Sequence, residues 1–230
     1  MSLDLSIVIM AYNEEENLPV QLERTVRFLK GSCDDWQVVV VDDGSSDDTA
    51  AVAREWSERH PGNVDLVQHP ENRGMGAAIR SGYAAARCTW FTQLPADCQV
   101  NPTVFERFLP HLDTCDIVLS VYRDRGDSVG RRMLSQAFYL FVRLVVGARG
   151  DFTGTMVFRR SLLEDVPTLH SDSFFLNLEF PIQALRMGVP HTVVEIEAQP
   201  RLHGQSKVAN LKRIRMVARE AIAMRLRGRD

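Results

Sequence analysis

The chain has 230 residues, of which 45% are hydrophobic and 25% charged. These are the proportions of a single globular domain, and they exclude a disordered or collagen-like chain. No apolar run reaches the ~18 residues of a membrane span, and MSLDLSIVIM has no basic region ahead of its apolar stretch, so a cytoplasmic protein without a cleaved signal is expected. The net charge of -3 hides an asymmetry, because from Arg201 onward nine Lys or Arg face two acids, a local charge of +7.

Leu5 to Ala11 is a short apolar run rich in branched residues and predicts a buried strand ending in the polar Tyr12-Asn13-Glu14. Leu18, Leu22, Val26 and Leu29 recur at helical spacing and predict a helix. Val38 to Val41 predict a second buried strand, running into the acidic turn Asp42 to Asp47. Thr49 to Trp56 reads as a helix, Val64 to Gln68 as a strand, Gly76 to Arg87 as an alanine-rich helix and Trp90 to Leu94 as a fourth strand. This alternation predicts a mainly parallel sheet with helices on both faces, which binds ligands beyond the carboxyl ends of its strands. Three polar clusters fall at such ends: Tyr12 to Glu14, Asp42-Asp43 and Asp97 to Gln99. Further on, Phe105 to Leu112 predicts a helix, Ile117 to Val121 a strand, and the polar, basic Tyr122 to Arg132 a mobile loop. Met133 to Val146 is apolar but interrupted by Arg143, as in a buried or membrane-surface helix.

Individually these clusters carry weak signals. DDGSSDDT lacks the alternating acids of an EF-hand, and without that company it reads as an Asp-rich turn or helix cap. Gly74 and Gly76 make only part of a phosphate loop. The four cysteines (Cys33, Cys88, Cys98 and Cys115) form no C-x-x-C pair, and the six histidines show no zinc spacing, so thiols are expected reduced. The basic tail is not accompanied by interleaved aromatics, and no nucleic-acid partner is expected.

The order of the pieces is more specific. IVIMAYNEEENL, VVVVDDGSSDDT, ENRGMGAAIRSG, QLPADCQ, DFTGTMVFRR and HGQSK succeed one another in a way that resembles the family 2 glycosyltransferases of GT-A fold. Within that family the chain looks like the dolichol-phosphate mannose synthase and polyprenyl-phosphate glycosyltransferase branch, from Leu5 to Lys207. The resemblance implies an α/β, Rossmann-like catalytic domain over residues 1–207 followed by a basic amphipathic helix over 208–230. It implies an inverting transfer of a hexose from a GDP- or UDP-sugar to a polyprenyl or dolichyl phosphate.

Carried over residue by residue, the resemblance places the donor nucleotide at Ala11, Tyr12, Glu14, Asp42, Asp43, Gly74 and Ala96. Mg²⁺ or Mn²⁺ is implied at Asp97 and Gln99, and the catalytic set is Asp97, Arg131, Arg201 and Lys207. The acceptor phosphate is assigned to Arg123, Arg131, Ser135 and Ser206, while Asp151 and Glu179 match acids on the acceptor side. The R-x-x-G-x-S-K element is complete from Arg201 to Lys207. One position departs: the family's D-A-D reads Pro95-Ala96-Asp97, which predicts weaker metal binding.

An acceptor phosphate is already anionic near neutral pH, so its oxygen can attack the anomeric carbon without a general base; it needs cations around it. A neutral hydroxyl acceptor would require a base, for which Asp151 and Glu179 are the candidates, and a catalytically weak nucleotide-sugar-binding homologue is the alternative that Pro95 raises. In the tail, Val208, Leu211, Ile214, Val217, Ala218, Ala221 and Ile222 form an apolar side opposite Lys212, Arg213, Arg219 and Arg227. Peripheral contact with the inner face of a membrane is expected of such a helix, the alternative being that its apolar side covers the catalytic domain.

Overall fold

Val38 to Val41 are wholly buried within β2 (Asp35–Asp42), as a strand covered on both faces requires. The computed structural model describes residues 3–123, 140–147, 154–166, 169–202 and 211–227. On either side of β2 lie β1 (Asp4–Ala11) and β3 (Val64–Gln68), both parallel to it. Beyond β1 comes β4 (Trp90–Pro95), also parallel. The sheet then continues through β6 (Met156–Arg159) and β5 (Ile117–Tyr122) to β7 (His191–Ile196), giving the order β3-β2-β1-β4-β6-β5-β7. Only β6 runs against its neighbours. Reversal twice over returns β5 and β7 to the direction of β1, so six strands end at one rim.

The helices α1 (Leu18–Ser32), α2 (Thr49–Arg59) and α3 (Met75–Ala85) connect the first four strands at the positions expected. They are followed by α4 (140–146), α5 (Leu162–Asp165), α6 (Leu176–Arg186) and α7 (Leu211–Arg227). Leu18, Leu22, Val26 and Leu29 of α1 are buried against β1 and β2, as their spacing predicts. On the opposite face, Phe91, Phe158, Phe180 and Tyr83 pack with ring centroids as close as 4.3 Å. These side chains tie α3 and α6 to β4 and β6.

Two expectations need correction. Phe105 to Leu112 is no α-helix: Pro102–Arg107 and Leu109–His111 form two 3₁₀ turns, because Pro110 has no N–H with which to continue an α-helical ladder. The apolar side assigned to the basic tail is partly spent inside the protein. Val217, Ala221 and Met224 of α7 are buried with Val142 and Val146 of α4 and Phe175, Leu178 and Ile182 at α6. The part of Met133 to Val146 before residue 140 lies outside the described residues, as do the tail positions before Leu211.

Two glycines permit approaches that no other residue allows. Gly44 has φ +69°, and a Cβ there would fall 2.3 Å from the carbonyl carbon of Glu71. A Cβ at Gly76 would meet the carbonyl oxygen of Asp172 at 2.3 Å, so the start of α3 lies directly against the strap formed by residues 169–175.

Candidate functional site

The site is assembled where β1, β2 and β4 end together. Ala11 pairs with Asp42 and Met10 with Pro95. The alignment continues one step past the strands: Asp43 N donates to Ala11 O at 2.9 Å, and Ala96 N to Met10 O at 3.0 Å. Asp43 and Asp97 therefore flank the end of β1, roughly 10 Å apart at two strand spacings. Both turns contain a non-glycine residue in the left-handed region, Asn13 at φ 53° and Cys98 at φ 61°. Asn tolerates that conformation because its short side chain bonds locally, and here Asn13 Oδ1 accepts from Ser46 N at 2.9 Å. Loop β1–α1 is thus stitched to loop β2–α2, a link that Asn13 N to Ser45 Oγ and Glu14 N to Thr49 Oγ1 reinforce.

Asp42 is completely buried, with Oδ1 accepting from Ser45 N at 3.1 Å, while Oδ2 has no hydrogen-bond partner among the described residues. A buried acceptor left empty is costly. Asp43 holds the loop that follows β3. Its carboxylate accepts from His69 Nδ1 at 2.8 Å, Arg73 N at 2.9 Å and Gly74 N at 2.9 Å. A carboxylate is acceptor-only, so Nδ1 carries the proton and Nε2 faces Ser81 Oγ at 2.8 Å.

Asp97 is the surviving acid of Pro95-Ala96-Asp97. Its Oδ1 accepts from Gln99 N at 3.1 Å, and its Oδ2 lies 3.4 Å from Arg201 Nη1. Arg201 also pairs with Glu14, itself fixed by Asn17 Nδ2 at 2.6 Å. A backbone bond from Gln199 N to Gln99 O, 2.8 Å long, sets the base of this crossing. Burial pushes the Asp97 carboxyl above the usual carboxylate range, aided by Glu14 and opposed by the Gln99 N–H and by Arg201. Among the described residues no group of three His, Cys, Asp or Glu converges on one point. One carboxylate with an amide two residues on does fit a divalent ion that draws most of its six oxygens from a diphosphate and water.

The remaining expected residues divide clearly. Tyr12, Ala96 and Gly74 stand at this rim with the acids, Gly74 at φ +89° just ahead of α3. Arg123 is exposed at the end of β5 and donates its N–H to Ile196 O, on the same rim but beyond β6. Glu179 is fully buried. Its oxygens accept from Ser171 N at 2.8 Å and from His170 N, with Arg227 Nη2 at 3.6 Å, so it grips the strap 169–175 from below. Arg80 and Glu220 hold the same strap from α3 and α7. Arg131, Ser135, Asp151, Ser206 and Lys207 lie outside the described residues. His69 was not among the expected residues. It was findable as the first residue after β3, the same strand-end position that drew attention to Tyr12 and Asp43.

The acids lie at the switch point of a doubly wound α/β sheet, where β1 and β4 diverge and where ligands of such folds bind, and Arg201 crosses them. The profile of Glycosyl transferase family 2 matches residues 6–167, and the chain belongs to that family. Among curated proteins it is 32% identical over 216 residues to an undecaprenyl-phosphate 4-deoxy-4-formamido-L-arabinose transferase of Pseudomonas fluorescens, covering 93% of this chain and 62% of that protein. It is 29% identical to the protein of the same name from Salmonella choleraesuis, covering 93% and 65%. The chain thus spans just under two thirds of these relatives. Solved structures share the GT-A fold. They include glucosyl-3-phosphoglycerate synthase from Mycobacterium tuberculosis with Mn²⁺, UDP-glucose and phosphoglyceric acid, with a TM-score of 0.70 at 21% identity over 97% of this chain and 78% of that one. Mannosyl-3-phosphoglycerate synthase from Rubrobacter xylanophilus has a TM-score of 0.71 at 19% identity, over 98% and 74%.

Proposed function

We propose that the protein is an inverting glycosyltransferase that moves a sugar from a nucleotide diphosphate to a polyprenyl phosphate. The observation that carries this reading is the pairing of Arg201 with Glu14 and Asp97 at the rim of the sheet where Asp42 and Asp43 also stand. Asp42, buried at the end of β2 with Oδ2 unpaired, lies beneath the nucleoside position, and Asp43 holds the 69–74 loop beside it. A divalent ion at Asp97 and Gln99, when bound, neutralises charge on the departing diphosphate. Arg201, with Arg123 further along the rim, supplies positive charge for the acceptor phosphate, whose oxygen attacks without a base. Glu179 is unsuited to act as a base, since it is buried and its oxygens hold backbone N–H groups.

The names of the curated relatives support the acceptor class, and they add 4-deoxy-4-formamido-L-arabinose to the expected hexose as sugars to test. Incubation with labelled UDP- and GDP-sugars, undecaprenyl phosphate and Mg²⁺ or Mn²⁺ should move label into the organic phase. Nucleotide binding with no glycolipid over every donor and metal would overturn the reading.

The acceptor is reached at a membrane surface. Among the described residues no helix is long and apolar enough to cross a bilayer. Yet Leu140 and Leu144, one helical turn apart on α4, are 57% and 74% exposed, and α7 presents Met216, Ile222 and Leu226 with Arg215, Arg219 and Arg225. Apolar groups among arginines suit anionic lipid. Replacing Leu140 and Leu144 together by Ser is expected to weaken binding to anionic phospholipid vesicles at least about tenfold, because each Leu forfeits roughly 1.5 kcal/mol of burial in lipid. The melting temperature should stay unchanged. Undiminished vesicle binding would remove this surface from the account.

A further inference from the structure

Arg201 crosses over Asp97 at the oxygen a divalent ion would use, an inference that rests on the donor site proposed above. Asp97 has one oxygen engaged by Gln99 N, so an incoming divalent ion has Oδ2 as its natural ligand. That same oxygen faces Arg201 Nη1. Where a motif keeps two acids, an ion and an arginine can each have their own; with Pro95 in the first position they must share one. The two ends of the guanidinium are also unequal. Nη1 to Asp97 spans 3.4 Å, long for a charge-assisted bond, whereas the contact with Glu14 is close and Glu14 is pinned by Asn17. The three side chains are only 10–16% exposed, so their charges are weakly screened.

We propose that Arg201 and the donor's divalent cation compete for Asp97, so that cation loading drives the guanidinium off Asp97 while Glu14 retains it beside the phosphates. The donor-free enzyme is held closed by an internal cation. Arg201 is in this sense a positioning residue as well as a phosphate ligand.

Titration of Mn²⁺ alone, with free ion followed by electron paramagnetic resonance, tests the competition without sugar or acceptor, and so separates it from the proposed reaction. Arg201→Gln is expected to tighten Mn²⁺ binding about tenfold, since a like charge is removed from the ion's side, and Arg201→Lys to stay within about threefold of the unmodified protein. Asp97→Asn should abolish binding in every background. Glu14→Gln removes one carboxylate partner of the guanidinium and should weaken Mn²⁺ about threefold or more, and by less in Arg201→Lys, where the fork that joins the two acids is gone; that comparison serves if Arg201→Gln does not fold. Unchanged or weaker binding in a folded Arg201→Gln would overturn the proposal. So would Mn²⁺ binding that survives Asp97→Asn, the absence of protein-bound Mn²⁺ in all forms that keep Asp97, or unaltered binding in Glu14→Gln.

Discussion

Asp97→Asn is expected to lower sugar transfer by at least about 100-fold while making the protein more resistant to heat at pH 8. The two effects have one origin. Burial raises the Asp97 pKa above its unfolded value, so the folded state holds the proton more tightly. Stability from this group is therefore fully present below the unfolded value, near pH 4, and is lost as pH rises through the raised one. Asn carries no charge to desolvate and escapes that loss, and Arg201 keeps Glu14 as its partner. Melting curves of both proteins at pH 4 and pH 8 should converge at the lower pH and separate at the higher, with Asn the more stable. A lower melting point for Asn at pH 8 would show that Asp97 is held for structure, and would remove it from the catalytic set.

Asp43→Ala should do the opposite, damaging stability and donor binding together. It removes the acceptor of His69 Nδ1, Arg73 N and Gly74 N, the first buried and the other two closer to solvent. Each unpartnered donor costs about 1–3 kcal/mol, and a total near 3–5 kcal/mol is expected after partial access by water. Against a typical domain stability of about 5–15 kcal/mol, this is visible as a large fall in the urea midpoint. Calorimetry with UDP and GDP should show the nucleotide bound at least about tenfold more weakly, because the 69–74 loop is no longer tied to the end of β2. Asp43→Asn retains one acceptor oxygen and should lie between the two. If Asp43→Ala keeps its urea midpoint, the loop is anchored by something other than this carboxylate.

The first half of the fold was legible because each of its elements announces itself locally. Val38 to Val41 can only be a buried strand, and Leu18 to Leu29 repeat at helical spacing. The second half hides its elements. β6 has four residues, β7 is an edge strand whose residues alternate between exposed and half-buried, and α6 contains Pro181, which reads as a break although the helix runs through it. Asp42, Asp43 and Asp97 were visible as acids at strand ends. Arg201 entered the expected catalytic set only through the family resemblance, since it stands 187 residues from its partner Glu14 and no local pattern records such a meeting. Glu179 shows the converse limit of sequence reading. An acid matching an acceptor-side position in sequence turns out to be buried beneath the strap 169–175, a fact that burial alone reveals.

The single reversed strand has a further meaning. Because β5 ends at the rim that carries Asp43 and Asp97 and β6, running the other way, begins there, the chain between Tyr122 and Met156 leaves and rejoins the sheet at the same rim. Its length and composition can therefore change without altering strand pairing on either side. A substitution at Val142 or Val146, within that excursion, would therefore be felt in the layer these residues share with α6 and α7 and not in the pairing of the strands.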